Sequence, residues 1–209
     1  MIRAREFPDK AALRRALRAR RAALSTAERR RASRQLLRLA LRHRLLMRKR
    51  RAGFYVPTRH EIDVLPLLER ALALGAACFL PIVPGRGRKK LWFTRLGERP
   101  AWFVNRFGIP EYHPPAPRKC RAGSLETLFL PLLGFDAEGW RIGMGGGYYD
   151  ASLAALRIRR HWRKPRLIGV AYAVQEVDRV PRDAWDVPLD GVLTERRYLA
   201  VRGKTRKTQ

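Results

Sequence analysis

Between Arg141 and Asp150 the chain reads RIGMGGGYYD. Gly143, Gly145, Gly146 and Gly147 leave out four side chains within a few residues. Glycine loses more backbone freedom on folding than any other residue, and a simple turn needs only one or two. A backbone stripped in this way lets another group approach its N–H donors closely. The preceding LETLFLPLLGFD (125–136) predicts a buried strand, and the apolar spacing after Tyr148 predicts a helix. Strand, turn, glycine loop and helix N-terminus together form the arrangement that gathers N–H groups around an anion such as phosphate. Asp150 falls in the first helical turn, where it can cap the helix or hold a metal ion facing the phosphates. Two known phosphate motifs are excluded. GxxxxGK[ST] is absent, and GxGxxG fails because Tyr148 occupies the sixth place after Gly143 and Gly145.

The elements that must position this loop form an alternating pattern. Residues 9–51 contain no glycine or proline and carry helical leucine spacing, divided at LSTAERRRAS. There Ser25 is placed as an N-cap with Glu28 as its capping-box partner, which predicts two tandem helices. A short buried strand is predicted at 52–57, a helix over 61–75 ending at Gly75, and a second strand at 76–83. That β-α-β unit implies parallel pairing with a right-handed crossover. Further strands are predicted at 90–96, 166–172 and 191–194, with 198–201 as an edge strand. The proline-rich segment 110–120 reads as a surface loop and 201–209 as a basic, frayed tail. The expected fold is α/β: a single Rossmann-like three-layer domain over residues 7–200, with a mostly parallel sheet. It divides into an N-terminal helical arm (9–51) and an α/β core (52–200).

Composition narrows the function classes. The 209 residues are 46% hydrophobic, enough for one well-buried core. No apolar run is long enough to span a membrane, and MIRAREFPDK leads into no signal-like apolar stretch, so a cytoplasmic protein is expected. Cys78 and Cys120 lack CxxC partners and read as small apolar filler. His43, His60, His113 and His161 fall in no metal-binding spacing and read as loop or surface residues. The net charge of +28 makes nucleic acid the alternative partner. Arginine far outnumbers lysine, however, and is spread along the chain, with no KH-like or RNP-like module.

Five blocks, in register, give the sequence a specific likeness. LETLFLPLLGFDAEGWRIGMGGGYYDASL resembles the signature of the 5-formyltetrahydrofolate cyclo-ligases, also called 5,10-methenyltetrahydrofolate synthetases. KAALRRALRARRAALS is similar to that family's opening helix, and FYVPTRHEIDVLPLLERALALGAACFLPIV to its strand, acidic turn, helix and strand. NRFGIPE and GVAYAVQEVDRVPRDAWDVPLDGVLTE resemble two further family segments, the second including a glutamine and a Trp-Asp pair. The resemblance implies ATP- and Mg²⁺-dependent conversion of 5-formyltetrahydrofolate to 5,10-methenyltetrahydrofolate, through a phosphorylated formyl group. It places Lys10, Arg14, Arg141, Gly143, Gly145, Gly146, Gly147, Tyr148 and Tyr149 at ATP. Tyr55, Glu61, Tyr148 and Tyr149 fall at the folate, and Asp150 and Asp186 at Mg²⁺. The implied partners are small molecules rather than membranes, and a monomer is expected.

Each of these residues also has a plainer role open to it. Lys10 and Arg14 can form a solvated helix face, Tyr148 and Tyr149 can anchor a core, and Glu61 can favour a helix N-terminus. Asp186 can cap a turn. A non-catalytic folate- or nucleotide-binding member of the same fold is a further alternative. Three positions depart from the family pattern. Met144 stands where some members carry a basic residue, Tyr112 where proline is usual, and Ala151 where arginine is common.

Overall fold

The structure, a computed structural model, describes residues 2–98, 101–114, 118–157 and 165–201. Helix α1 (Lys10–Ala22) begins where Asp9 Oδ1 accepts the Ala12 N–H at 2.6 Å. Helix α2 (Thr26–Arg42) opens on the anticipated capping box, with Ser25 and Glu28 each holding the other's backbone N–H. The helical region stops at Arg42 instead of continuing to residue 51. The chain breaks at Arg44, whose φ is 52°, and then turns Leu45 and Leu46 into the core.

The strands are β1 (Arg51–Gly53), β2 (Ala77–Ile82), β3 (Trp92–Arg95), β4 (Trp102–Val104), β5 (Pro110–Tyr112) and β6 (Lys119–Cys120). They continue with β7 (Thr127–Pro131), β8 (Gly134–Phe135), β9 (Arg141–Ile142), β10 (Arg166–Val170), β11 (Gly191–Leu193) and β12 (Tyr198–Ala200). Two shorter helices, α3 (Leu65–Ala73) and α4 (Tyr148–Leu153), complete the elements used below. Eight strands form one sheet in the order β12-β11-β10-β7-β1-β2-β3-β6. The run from β11 to β2 is parallel, and β12, β3 and β6 are antiparallel additions at its margins. The anticipated β1-α3-β2 unit is present.

Alternation along the strands sorts the side chains into layers. Phe129, Ile168, Phe54 and Leu80 face one side, where Leu36 of α2 and Leu67 of α3 cover them. Leu128, Leu130, Leu167 and Val192 face the other, against Leu125 and Leu153. This is the expected α/β arrangement with the sheet between two layers. The N-terminal helices are packed into it. In a separate cluster, Leu13 and Leu17 of α1 meet Leu133, Ile142, Val177 and Val180 beyond the C-terminal end of β7. That end of the parallel strands is where ligands bind in open α/β sheets.

Three readings change on contact with the structure. The strand expected over 125–136 is two strands. β7 leaves the sheet after Pro131, and the chain folds into the β8–β9 hairpin, whose turn carries Gly139 at φ 82°. Buried Gln175 stabilises the bend: its Nε2 donates to Leu132 O and Leu133 O, both at 2.9 Å, and its Oε1 accepts from Tyr172 N–H. Second, the described ends of segment 110–120 are strands β5 and β6, not a surface loop. Glu111 and Tyr112 are buried in β5, and the Glu111 carboxylate accepts hydrogen bonds from Val83 N–H and Asn105 Nδ2 and meets His113 Nε2 at 2.7 Å. Third, α3 starts at Leu65 with Pro66 in its first turn, which leaves Glu61 outside the helix.

Cys78 and Cys120 are free thiols, and burial pushes the Cys78 pKa up to about 12. Among the described residues no helix is long and apolar enough to cross a membrane. His161 and the tail residues 202–209 lie outside the described residues. Gln175→Met keeps the volume and orphans two carbonyls and one N–H. At about 1–3 kcal/mol for each unsatisfied group, and about 2–4 °C per kcal/mol for a chain of this size, the expected result is a thermal midpoint lower by at least about 6 °C. A calorimetric midpoint within about 2 °C of wild type would overturn this role.

Candidate active site

The β8–β9 hairpin presents the glycine loop to α1. Arg14 Nε donates to Gly143 O at 3.0 Å, and Arg18 Nη2 donates to Met144 O at 3.1 Å. One turn on, Arg21 Nη2 lies 3.9 Å from Met144 Sδ. Lys10, Arg14, Arg18 and Arg21 thus follow one stripe of α1, beside the apolar Leu13 and Leu17 that seat the helix. Gly134 permits that seating: a β-carbon there would come within 2.7 Å of Leu17 Cδ1. With the carbonyls of 143 and 144 drawn toward α1, the loop's donors are left for another partner.

Conformation or packing accounts for three of the four glycines. Gly145 has φ 104° and Gly147 φ 70°, conformations that L side chains resist. A β-carbon on Gly146 would stand 3.0 Å from the Tyr148 ring. At Gly143 neither reason holds, because its φ is not positive and a β-carbon there would meet nothing within 4 Å. Packing and backbone conformation leave this glycine unexplained. Gly147 serves as N-cap of α4, and Lys89 reaches over it from the chain before β3. A β-carbon on Gly147 would lie 3.7 Å from Lys89 Nζ.

The acidic residues sit behind this loop. Arg141 is buried, donates to Val187 O at 2.7 Å and pairs with Asp150 Oδ1 at 2.5 Å. Burial lowers its pKa, against the opposing influence of Asp150 and then Asp186. Arg141 is therefore the anchor that aims Asp150, with both carboxylates in its field. Asp186 Oδ2 accepts the Asp183 N–H at 2.7 Å, and Asp183 pairs with Lys10 Nζ at 2.5 Å. No group of three or more His, Cys, Asp or Glu that could hold a metal is present among the described residues. Asp150 and Asp186 fit the other kind of site, in which Mg²⁺ takes one or two carboxylates and completes its shell with phosphate and water oxygens.

Aromatic side chains form the remaining wall. Tyr148 accepts a hydrogen bond from Arg106 Nη2 at 2.9 Å, and its ring meets exposed Phe107 edge-on at 5.8 Å. Tyr149 is partly exposed, and desolvation, then Glu61, raises the pKa of its hydroxyl. Tyr55 is a core residue whose hydroxyl donates to Ile62 O at 2.9 Å, which fixes the turn carrying Glu61. Within that turn Glu61 Oε2 accepts the Thr58 N–H, while Oε1 lies 3.8 Å from Arg21 Nη1.

These contacts bring together Lys10, Arg14, Arg141, Asp150, Asp186 and the glycines, with Tyr149 between the loop and Glu61. Residues 6–195 match the family described as 5-formyltetrahydrofolate cyclo-ligase. The chain belongs to that family. It is 32% identical over 136 residues to the Escherichia coli K12 5-formyltetrahydrofolate cyclo-ligase, covering 64% of this chain and 71% of that protein. The mouse 5-formyltetrahydrofolate cyclo-ligase is 28% identical over 194 residues, covering 89% and 93%. The solved structure of the Aquifex aeolicus 5,10-methenyltetrahydrofolate synthetase superposes with a TM-score of 0.78 at 31% identity, over 96% of each chain. This family member is thus an enzyme of the ligase class.

Several contributors escaped the sequence reading. Arg18 and Arg21 continue the Lys10–Arg14 spacing and were legible on a helical projection. Lys89, Arg106, Phe107 and Asp183 arrive by way of tertiary structure and carry no local signal. Of the departures from the family pattern, Met144 lies under Arg18 and Arg21, while Tyr112 is buried against Trp102. Gly143→Ala is expected to leave the thermal midpoint unchanged. Gly145→Ala, held at positive φ, should lose about 1–2 kcal/mol, or roughly 2–8 °C. Equal midpoints for the two variants would refute the assignment of separate roles.

Proposed function

We propose that the chain catalyses the ATP- and Mg²⁺-dependent conversion of 5-formyltetrahydrofolate to 5,10-methenyltetrahydrofolate, releasing ADP and phosphate. The observation that carries the reading is Gly143, a glycine that neither φ nor packing requires, within a family-matched loop clamped by cations. The formyl oxygen on N5 is a poor leaving group when N10 attacks. Transfer of the γ-phosphoryl group to that oxygen converts it into phosphate, which departs as N10 bonds the formyl carbon and loses its proton. Such a transfer needs mainly positioning and charge neutralisation.

The chain's residues divide that work. Gly143, Gly145, Gly146 and Gly147 let backbone donors reach the triphosphate, and Lys10, Arg14, Arg18 and Lys89 supply positive charge along its path. Arg141 holds Asp150 in place, and Asp150 with Asp186 are the carboxylates that would hold Mg²⁺. A bound Mg²⁺ would neutralise charge developing on the phosphoryl oxygens. Glu61 accepts hydrogen bonds from the pterin ring's N–H groups, with Tyr148 and Tyr149 between the ring and the phosphates. Residues 7–200 act as one catalytic unit in this scheme.

The direct test follows the near-ultraviolet absorbance of methenyltetrahydrofolate with purified protein, 5-formyltetrahydrofolate, Mg²⁺ and ATP. An ATP-dependent rise is expected, and a flat trace from folded protein would refute the reading. Asp150→Asn is expected to lower turnover about a hundredfold while unfolding stays cooperative. An unchanged rate at saturating ATP and Mg²⁺ would remove Asp150 from the mechanism. Gly143→Ala is expected to raise the apparent KM for ATP several-fold, and an unchanged ATP titration would refute the phosphate cradle.

A further inference from the structure

Arg21 is the one member of the α1 stripe whose hydrogen bonding is incomplete at full burial. Its side chain is 5% exposed, and its Nε and Nη1 atoms lie buried without a hydrogen-bond partner among the described residues. Its Nη2 contact goes to a thioether sulfur, a weak acceptor. Glu61 Oε1, at 3.8 Å from Nη1, is close enough for attraction and too far for a hydrogen bond. Burial lowers the Arg21 pKa, and Glu61 is the first influence opposing it. A buried guanidinium with unmet donors is costly, and an apolar residue would fill the same space without that cost. The acceptor that completes Arg21 therefore comes from outside the chain.

The neighbours indicate what kind of acceptor it is. The next basic residue on the stripe, Arg18, contacts the glycine loop, whereas Arg21 turns from Met144 toward Glu61 and the turn held by Tyr55 and Tyr172. A pterin ring carries, along one edge, a 2-amino group, N3–H and the O4 carbonyl: two donors followed by an acceptor. A carboxylate that takes the two donors leaves O4 against its own negative oxygen. A cationic donor beside that carboxylate converts the repulsion into a hydrogen bond. We propose that Arg21, through Nη1, donates to O4 of the pterin while Glu61 accepts from the ring's N–H groups, so that the pair reads a 2-amino-4-oxo ring. This inference rests on the folate reading above. It makes Arg21 a specificity-determining residue at the joint between the folate and phosphate sides of the site.

The test uses calorimetric titration of the full chain without ATP. The probes are 5-formyltetrahydrofolate and its analogue with a 4-amino group in place of O4. Arg21→Met is expected to weaken binding of the 4-oxo compound about tenfold to a hundredfold, the range of a charge-assisted hydrogen bond, and to leave affinity for the 4-amino analogue unchanged. Arg21→Lys, which keeps a charged donor, is expected to recover part of the loss. Equal weakening of both compounds, or of neither, would overturn the proposal. If the methionine variant does not fold, ¹⁵N-arginine spectra of the wild type decide. An Arg21 guanidinium resonance that moves with the 4-oxo compound and not with the analogue supports the contact, and one that moves with neither overturns it. A wild type that binds neither compound, with or without Mg²⁺ and ATP, would refute the folate reading itself.

Discussion

The contact on which the site depends is the one between α1 and the glycine loop. Arg14 and Arg18 engage the carbonyls of residues 143 and 144, so a segment with almost no side chains of its own is held by a neighbouring helix. A glycine-rich loop left alone would sample many conformations, including left-handed ones, and would offer a ligand no fixed set of donors. Here that freedom is removed from outside. The guanidinium groups fix the carbonyls, Gly147 caps α4, and the Ser152 hydroxyl ties α4 to Leu91 at the start of β3. The same helix that carries the row of cations therefore also orders the backbone.

That arrangement gives the strongly basic composition a local meaning. Many of the arginines are exposed and unremarkable in place. Those of the α1 stripe are different because Leu13 and Leu17 pin the helix at the end of the parallel strands. Their charges are directed at one loop. Acidic partners are few and specific: Asp183 meets Lys10, Asp150 meets Arg141, and Glu61 faces Arg21. Arg14, Arg18 and Lys89 have no acidic partner among the described residues, which leaves net positive charge beside the loop.

Local rules made much of the fold legible. The Ser25–Glu28 capping box, the β1-α3-β2 unit and the glycine-initiated α4 are all determined by short-range chemistry, and they stand where the sequence places them. The misread segments owe their form to distant partners. The bend after Pro131 depends on Gln175, more than forty residues away, and Glu111 is drawn inside because Val83 N–H and Asn105 Nδ2 give it hydrogen bonds. The site divides along the same line. The glycine loop and Asp150 were visible as motifs and Lys10 through the family resemblance, whereas Lys89 over Gly147 and Arg21 beside Glu61 follow from tertiary placement.

The route of α1 through the molecule also bears on how the protein is made. Lys10 pairs with Asp183, 173 positions further on, and the Leu13–Leu17 face packs on Val177 and Val180, so α1 leaves the ribosome long before the residues it packs on. During synthesis the sheet can assemble progressively around β1, β2 and β7, while α1 carries an exposed leucine face and a row of cations with no loop to hold. A nascent chain therefore has the inner strands β1, β2 and β7 before α1 has its packing partners. The glycine loop therefore gains the helix that orders it only after the segment around Val177 to Asp183 has been made.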